Sequence, residues 1–301
     1  MAGARGARGA RDVVVCFFGI TRALEHTYPS ISRNVLAPAR AAAEALGGRL
    51  VVAAHLFEQE RIENPRSGES AAAPRGEHRL LAADRLVLER AGGCLAARGH
   101  AALAAFGDFW EDGGASLRNL VHQLHSLDRV TDLAFEGGGE PALVIFARPD
   151  LEYHDSLAPA LEAAVRRARA GRPGAPRAWL PAWQAWHGRN DRFAICEPAA
   201  ARAYGRRIAR AEAFCASHGP LHAERLLGAA LHEDGVRVAR LGARASRMRV
   251  GGVRQHENFA PIWQRRLRWH ASNIAASLRL KGLARLALGR LSLGRSVVAE
   301  G

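Results

Sequence analysis

Short, unbroken apolar runs alternate along this chain with polar stretches of helical period. Val13 to Phe18 is continuously apolar, β-branched and aromatic and stops at Gly19, the pattern of a strand buried on both faces of a parallel sheet. Helical spacing follows from Leu24 to Leu46, interrupted by Pro29 and Pro38 and stopped by Gly47-Gly48. Leu50 to His55 is a second short apolar strand, so the first 55 residues read as βαβ. Glu58 to Glu77 is polar, carries Pro65 and Pro74, and reads as a surface loop or lid. Leu80 to Ala97 returns to helix spacing, Asp108 to Gly114 is turn-rich, and Ser116 is placed to cap a helix running to about Leu127. A glycine run, Gly137 to Gly139, precedes a third strand at Ala142 to Ala147. Helices are then predicted over Ser156 to Ala170, Pro198 to Ser217 and Leu221 to Leu231, with a last strand at Val236 to Leu241.

The pattern predicts one α/β domain over residues 12 to 242, built on a mostly parallel sheet flanked by helices. Residues 1 to 11 are expected to be a disordered basic N-terminus, and residues 243 to 301 a basic C-terminal extension.

Charge sharpens that division. The chain has 301 residues, 48% of them hydrophobic, and a formal net charge of +14. Between residues 237 and 296 there are fourteen basic residues and the single acid Glu257, so nearly all of the excess sits at the C-terminal end. Nearly every basic residue is arginine, Lys281 being the exception, and alanine is abundant; that bias reads as a GC-rich genome more than selection for guanidinium chemistry. The extension suits anionic lipid headgroups, a protein partner or nucleic-acid phosphates, and Trp263, Trp269 and the interspersed leucines favour lipid over nucleic acid. Placing Arg279 to Leu291 on a helix scatters its arginines around the axis, which only partly supports an amphipathic membrane helix.

Cys16, Cys94, Cys196 and Cys215 show no CxxC spacing, and a reducing compartment is the simplest reading. No apolar run approaches the roughly 18 residues of a spanning helix, and no signal-like segment precedes the first strand. A cytoplasmic protein is expected, with possible peripheral attachment at the inner membrane face.

The phosphate loop GxxxxGK[ST] is absent, and the glycine run precedes a strand where a dinucleotide fingerprint would follow one. HExxH, GxSxG and paired-cysteine zinc spacing are absent as well. His122 and His125, three apart on a predicted helix, could face one metal, although surface histidines are the common case. The first positive signal is Arg148-Pro149-Asp150, polar residues just past an apolar strand, where ligands bind in open α/β sheets.

Together with other short signatures this strand end resembles a known family. The run Val13 to Gly19 followed by Ile20-Thr21-Arg22, with Ser30-Ile31 beyond, is similar to the opening of bacterial GT-A-like glycosyltransferases related to polysaccharide and capsule biosynthesis. Ala147-Arg148-Pro149-Asp150-Leu151 resembles the strand end that takes the place of the DxD motif in that fold. Asn190-Asp191-Arg192-Phe193-Ala194, Tyr204-Gly205, and Glu224 within His222 to Leu227 extend the likeness.

The resemblance implies transfer of a sugar from a nucleotide-sugar donor to a glycan or lipid-linked acceptor. It puts the nucleotide beside Thr21 and Arg22, whose guanidinium fork suits a diphosphate. Asp150 keeps the last acid of a DxD-like turn and would be the metal ligand; Arg148 replaces the first, which leaves a divalent cation (Mn or Mg) in doubt and lets Arg148 touch phosphate directly. Asp191 is the favoured general base, with Glu224 as a second catalytic acid or base, and Asn190, Arg192 and Trp186 as substrate contacts. Each residue also has a purely structural reading: Asp150 as a helix cap, Asn190 to Arg192 as an Asx turn with an internal ion pair, Glu224 paired with Arg225 or His222, and Trp179 and Trp183 as core. The rival function is a noncatalytic α/β interaction protein whose basic tail holds nucleic acid or anionic membrane. Only the enzyme needs Asp150, Asp191 and Glu224 to share one cleft with Arg22 and Arg148.

Overall fold

The computed structural model describes residues 11–64, 68–137, 139–171, 174–185 and 188–260. Its centre is a seven-stranded sheet made from β1 (Val13–Gly19), β2 (Leu50–Glu58), β5 (Arg85–Arg90), β6 (Leu143–Ala147), β8 (Arg177–Pro181), β9 (Ala194–Cys196) and β10 (Arg237–Leu241). The strand order is β10-β8-β9-β6-β1-β2-β5, and all pairs are parallel except those made by β9. Val13 pairs with Leu50 on one side and Leu143 on the other, so β1 lies between β2 and β6. The chain is an α/β protein with a mostly parallel sheet flanked by helices.

The apolar run of β1 is buried through both faces, as parallel strands under two helical layers require. Val14, Cys16 and Phe18 join a cluster with Leu127, Val130 and Leu133 of α5 (Ala115–Ala134) and with Leu227 and Leu231 of α9 (Ala223–Glu233). Across the sheet lie α2 (Ala37–Leu46) and α6 (Ala158–Arg169), which pack on each other. Gly205 closes α7 (Pro198–Gly205) against α5: a Cβ there would come within 1.9 Å of Thr131 Oγ1, so only glycine admits this approach.

Several local expectations change. The helical stretch from Leu24 becomes α1 (Leu24–Ile31), a π-helical turn at Ser32–Leu36 and then α2, with Pro38 in the first turn of α2 where its missing N–H costs nothing. The polar span from Glu58 contains a hairpin, β3 (Arg61–Asn64) and β4 (Glu69–Ala72), with Ile62 buried beneath it. Leu80 to Ala97 is not a helix. It folds as a 3-10 turn at Glu77–Leu81, the edge strand β5, and a single turn α3 (Cys94–Ala97) followed by α4 (His100–Ala104). The half-exposed edge strand carries its mixed apolar and charged residues at spacings that also suit a helix, and the ladder to β2 decides the outcome. Ser116 does not cap α5; the Asp112 carboxylate accepts the Ser116 N–H at 3.0 Å and the Ser116 hydroxyl at 2.6 Å. The segment from Pro198 breaks after Gly205 and resumes as α8 (Ala211–His218).

The folded unit extends to Asn258, beyond the boundary expected at Gly242. β11 (Ala245–Arg249) pairs antiparallel with β7 (Leu151–Tyr153), immediately after Asp150, and with β12 (Val253–Arg254). Four arginines counted with the basic extension thus belong to the folded unit and meet acids there: Arg244 with Asp155, Arg247 with Glu257, Arg249 with Glu69 and Arg254 with Glu152. The expected N-terminal stretch up to residue 10, Trp186, Trp263, Trp269 and the remainder of the basic extension from residue 261 lie outside the described residues. No helix among the described residues is long and apolar enough to cross a membrane.

Candidate functional site

From β1 the chain moves on to β2 and from β6 toward β8 and β9, in opposite directions along the strand order, and the crevice beyond those two strand ends is the usual ligand position in such sheets. Here it opens as a cleft of about 1070 Å³ whose lining includes Arg22, Arg148, Asp150, Asp191, Arg192 and Glu224. Residues 126 and more positions apart in the chain, Arg22 and Arg148 among them, meet because parallel strands deliver their carboxyl ends to one edge.

Gly19 ends β1 at φ +104°, a conformation open to glycine, and its N–H donates to Ser126 Oγ at 2.8 Å. Three residues on, Arg22 reaches Asp150: its Nε and Nη2 donate to Asp150 Oδ2 at 3.1 and 2.8 Å. Arg148 supplies two further bonds, Nε to Oδ1 at 2.9 Å and Nη2 to Oδ2 at 2.8 Å. Asp150 is 1% exposed. Burial alone would raise its pKa, but the charges and hydrogen bonds of Arg148 and Arg22 overcome burial and hold the carboxyl far below the usual carboxylate range. Asp150 therefore caps no helix; it is a buried anion between two guanidiniums. A divalent cation does not fit there, because both oxygens already accept guanidinium N–H groups and the ion would face two fixed positive charges.

Arg148 also donates from Nη1 to Gln123 Oε1 at 2.9 Å, and Gln123 Nε2 donates to Asp191 Oδ2 at 3.0 Å. One amide on α5 therefore joins the strand-end cluster to the Asp191 loop. That loop is an Asx turn: Asn190 Oδ1 accepts the Arg192 N–H at 3.1 Å and its amide donates to the Trp183 carbonyl at 2.6 Å. Asn190 thus spends its side chain inside the turn and does not line the cleft. Tyr204 donates to the Asp191 carbonyl at 2.7 Å, and Arg207 Nη2 lies 3.5 Å from Asp191 Oδ2. Arg207 is 1% exposed, lies over the Tyr204 ring at 4.7 Å, and has no hydrogen-bond partner at Nε or Nη2.

Glu224 enters from the first turn of α9. Its backbone carbonyl accepts the Arg189 N–H at 2.9 Å, and Gly188 passes so close that a Cβ would sit 1.9 Å from that carbonyl oxygen. The Glu224 carboxyl is pushed up to about 8 by burial, reinforced by the negative charge of Asp191. His222, just before α9, brings Nδ1 to 3.4 Å from Glu224 Oε2, and its ring packs against Phe109 and Trp110 at 4.4 and 6.0 Å. A Glu224 to Arg225 ion pair is not what holds this side chain.

Arg192 lies over Trp183 at 4.9 Å, donates to Gln184 at 2.5 Å, and is pulled down to about 10 by burial and by Arg247, so it remains charged at neutral pH. Its Nη1 is 3.1 Å from Glu257 Oε2 without hydrogen-bond alignment. Trp179 and Trp183 are buried, the latter donating to the Ala243 carbonyl at 2.9 Å. Thr21 is half-buried and outside the cleft lining.

Sequence reasoning missed Arg247, Arg249, Glu69, Gln123 and the Phe109, Trp110 and His222 ring group, all on the cleft wall or beside it. The arginines follow from β11 pairing with β7, where Arg247 faces Leu151. Only the alternation of apolar and basic residues in Ala245–Arg249 hinted at a strand.

The described chain is thus an α/β protein with an arginine-rich, carboxylate-bearing cleft at its strand ends. No protein-family model matches it, and no curated protein matches it. Among solved structures it is similar to mouse xyloside xylosyltransferase 1 in its apo form, at 10% identity and TM-score 0.39, over 76% of this chain and 85% of that one. A Desulfovibrio desulfuricans G20 protein provisionally named a nucleotide-diphospho-sugar transferase matches at 8% identity and TM-score 0.34, over 77% and 80%. A Bacillus anthracis protein provisionally named a glucose-1-phosphate thymidylyltransferase matches at 8% and 0.31, over 78% and 89%. Likeness at this level assigns no activity.

Proposed function

We propose that the chain is a GT-A-like glycosyltransferase that takes its sugar from a nucleoside-diphosphate donor and passes it to a glycan or lipid-linked acceptor. The observation that carries this reading is the cleft itself: Arg22, Arg148 and Arg192 in its lining, and a neighbouring acid pair, Asp191 and Glu224, of which one member keeps its proton at neutral pH. A diphosphate leaving group needs fixed positive charge where its own charge develops, and preorganised guanidiniums supply it without a metal. Arg22 is held by Asp150 and Glu69, and Arg148 by Asp150 and Gln123, so both guanidiniums are oriented before any ligand arrives.

In the transfer, the acceptor oxygen bonds to the anomeric carbon while that carbon's bond to the diphosphate oxygen breaks, the electron pair leaving with the diphosphate. The acceptor hydroxyl proton passes to Asp191. Glu224, protonated, donates a hydrogen bond to a sugar hydroxyl, and the Phe109, Trp110 and His222 rings offer a stacking surface for sugar or base. The acceptor belongs to surface or capsular glycan assembly, and the reaction is placed in the cytoplasm, at the inner membrane face when the acceptor is lipid-linked.

A panel of nucleoside diphosphates and their sugar conjugates, followed by thermal shift with and without manganese, tests the donor site. One nucleotide should raise the melting temperature, since ligand binding to the folded state stabilises it, and the rise should not depend on manganese. A flat panel overturns the reading.

A further inference from the structure

We propose that His55, Glu89 and His125, beside the cleft, form a binding site for one transition-metal ion of the zinc type. His55 comes from β2, Glu89 from β5 and His125 from α5, and one ligand-type atom of each lies within 4.8 Å of the others. Glu89 Oε2 is the shared point, 3.0 Å from His55 Nε2 and 2.8 Å from His125 Nε2. The pairing considered for His122 and His125 is not the one the fold makes, since His122 Nε2 accepts the Gly92 N–H at 3.0 Å.

The hydrogen-bond inventory singles out this cluster. Ser126 has one hydroxyl proton, and it goes to the His55 carbonyl at 2.6 Å; the same oxygen accepts the Gly19 N–H at 2.8 Å. His55 Nδ1, 3.1 Å from that oxygen, must therefore be the donor. The other ring nitrogen, Nε2, is turned toward Glu89 Oε2. Two imidazole nitrogens and a carboxylate oxygen are the donor set zinc takes, with one position left open. Ligands about 2.1 Å from a tetrahedral ion sit about 3.4 Å apart, so each contact here has to widen by roughly half an ångström. Glu89, 30% exposed in its side chain, is the open side.

One contact opposes the ion. Arg98 Nε donates to His125 Nδ1 at 2.8 Å, which keeps the ring proton on Nε2. Metal binding moves that proton to Nδ1 and turns Arg98 toward Asp128, to which its Nη2 already donates at 2.6 Å. The bound ion would tie β2, β5 and α5 together beside Gly19 and Phe57, both of which line the cleft.

Titration of the metal-stripped full chain with Co²⁺ and Zn²⁺ tests the site. The expected result is one saturable equivalent, visible d–d absorption of a four- or five-coordinate cobalt ion, and a raised melting temperature. Glu89→Gln should weaken binding at least tenfold with its far-UV dichroism unchanged, and Arg98→Ala should strengthen it. If Glu89→Gln fails to fold, His125→Asn takes its place. No saturable equivalent, or the same affinity in the ligand variants, overturns the proposal. Neither outcome bears on the nucleotide panel, which reads a different set of side chains.

Discussion

Asp150 and Glu224 are carboxyl groups buried in one cleft, and their surroundings drive them in opposite directions. Asp150 sits at a strand end with two guanidiniums on its oxygens, whose charges outweigh burial and keep it ionised. Glu224 sits at a helix start beside another acid, where burial and the Asp191 charge act together and its proton is held to about 8. Environments that separate two carboxyl groups in this way are how an active site assigns one to carry fixed charge and the other to handle a proton. In the proposed reaction Asp150 would orient Arg22 and Arg148, while Glu224 and Asp191 would touch the reacting hydroxyl.

The largest test of this contrast removes Asp150. Asp150→Ala strips two guanidiniums of the carboxylate they share, leaving Arg22 only Glu69 and Arg148 only Gln123, and should cost about 3–5 kcal/mol of stability by chemical denaturation. Asp150→Asn, which keeps acceptor capacity at one oxygen, should cost less. If alanine costs under about 1 kcal/mol, the carboxylate does not hold the strand ends together.

Glu224→Gln is the counterpart, and its effect depends on pH. The native carboxyl keeps its proton to about 8, whereas the unfolded one loses it near 4.5, so the native state binds the extra proton between those values. The stability contributed by Glu224 is complete below the lower value and falls as pH rises toward the upper one, by at most about 1.4 kcal/mol per pH unit. Asp150 behaves in the opposite sense: its contribution is complete above the ordinary carboxylate range and is lost progressively as pH falls from that range toward its own, much lower, value. Stability measured from pH 5 to 8 should therefore decline in the native chain and flatten in Glu224→Gln, leaving the variant the more stable at pH 8. Parallel slopes would remove the raised carboxyl from the argument.

Gln123→Ala is the smallest change. It breaks the hydrogen bonds to Arg148 and Asp191 and should cost about 1–2 kcal/mol. The Glu224 slope should survive it, because that slope arises from burial and the Asp191 charge; an altered slope would make the amide part of the proton-holding group.

Much of the scaffold could be read from residue order. The apolar runs at Val13 and Ala142 are strands, Gly19 ends the first, and Arg148-Pro149-Asp150 follows the third into the ligand crevice, because a strand buried on both faces must be apolar and polar groups must resume where it leaves the core. The helix-period signal failed at Arg85–Arg90, where an edge strand exposed on one face carries apolar and charged residues at spacings that suit either element.

Which acids would hold fixed charge and which would hold a proton was settled only in three dimensions. Asp150 and Glu224 look alike in the sequence; their difference lies in Arg22, 128 positions from Asp150, and in the turn that brings Asp191 against α9. Arg247 and Arg249 reach the cleft through a ladder with β7, and His55, Glu89 and His125 come from three separate elements. Periodicity records which face of a segment is buried, a local property of the hydrophobic effect. Coulombic neighbours and hydrogen-bond partners are set by where distant segments land, and no local pattern encodes them.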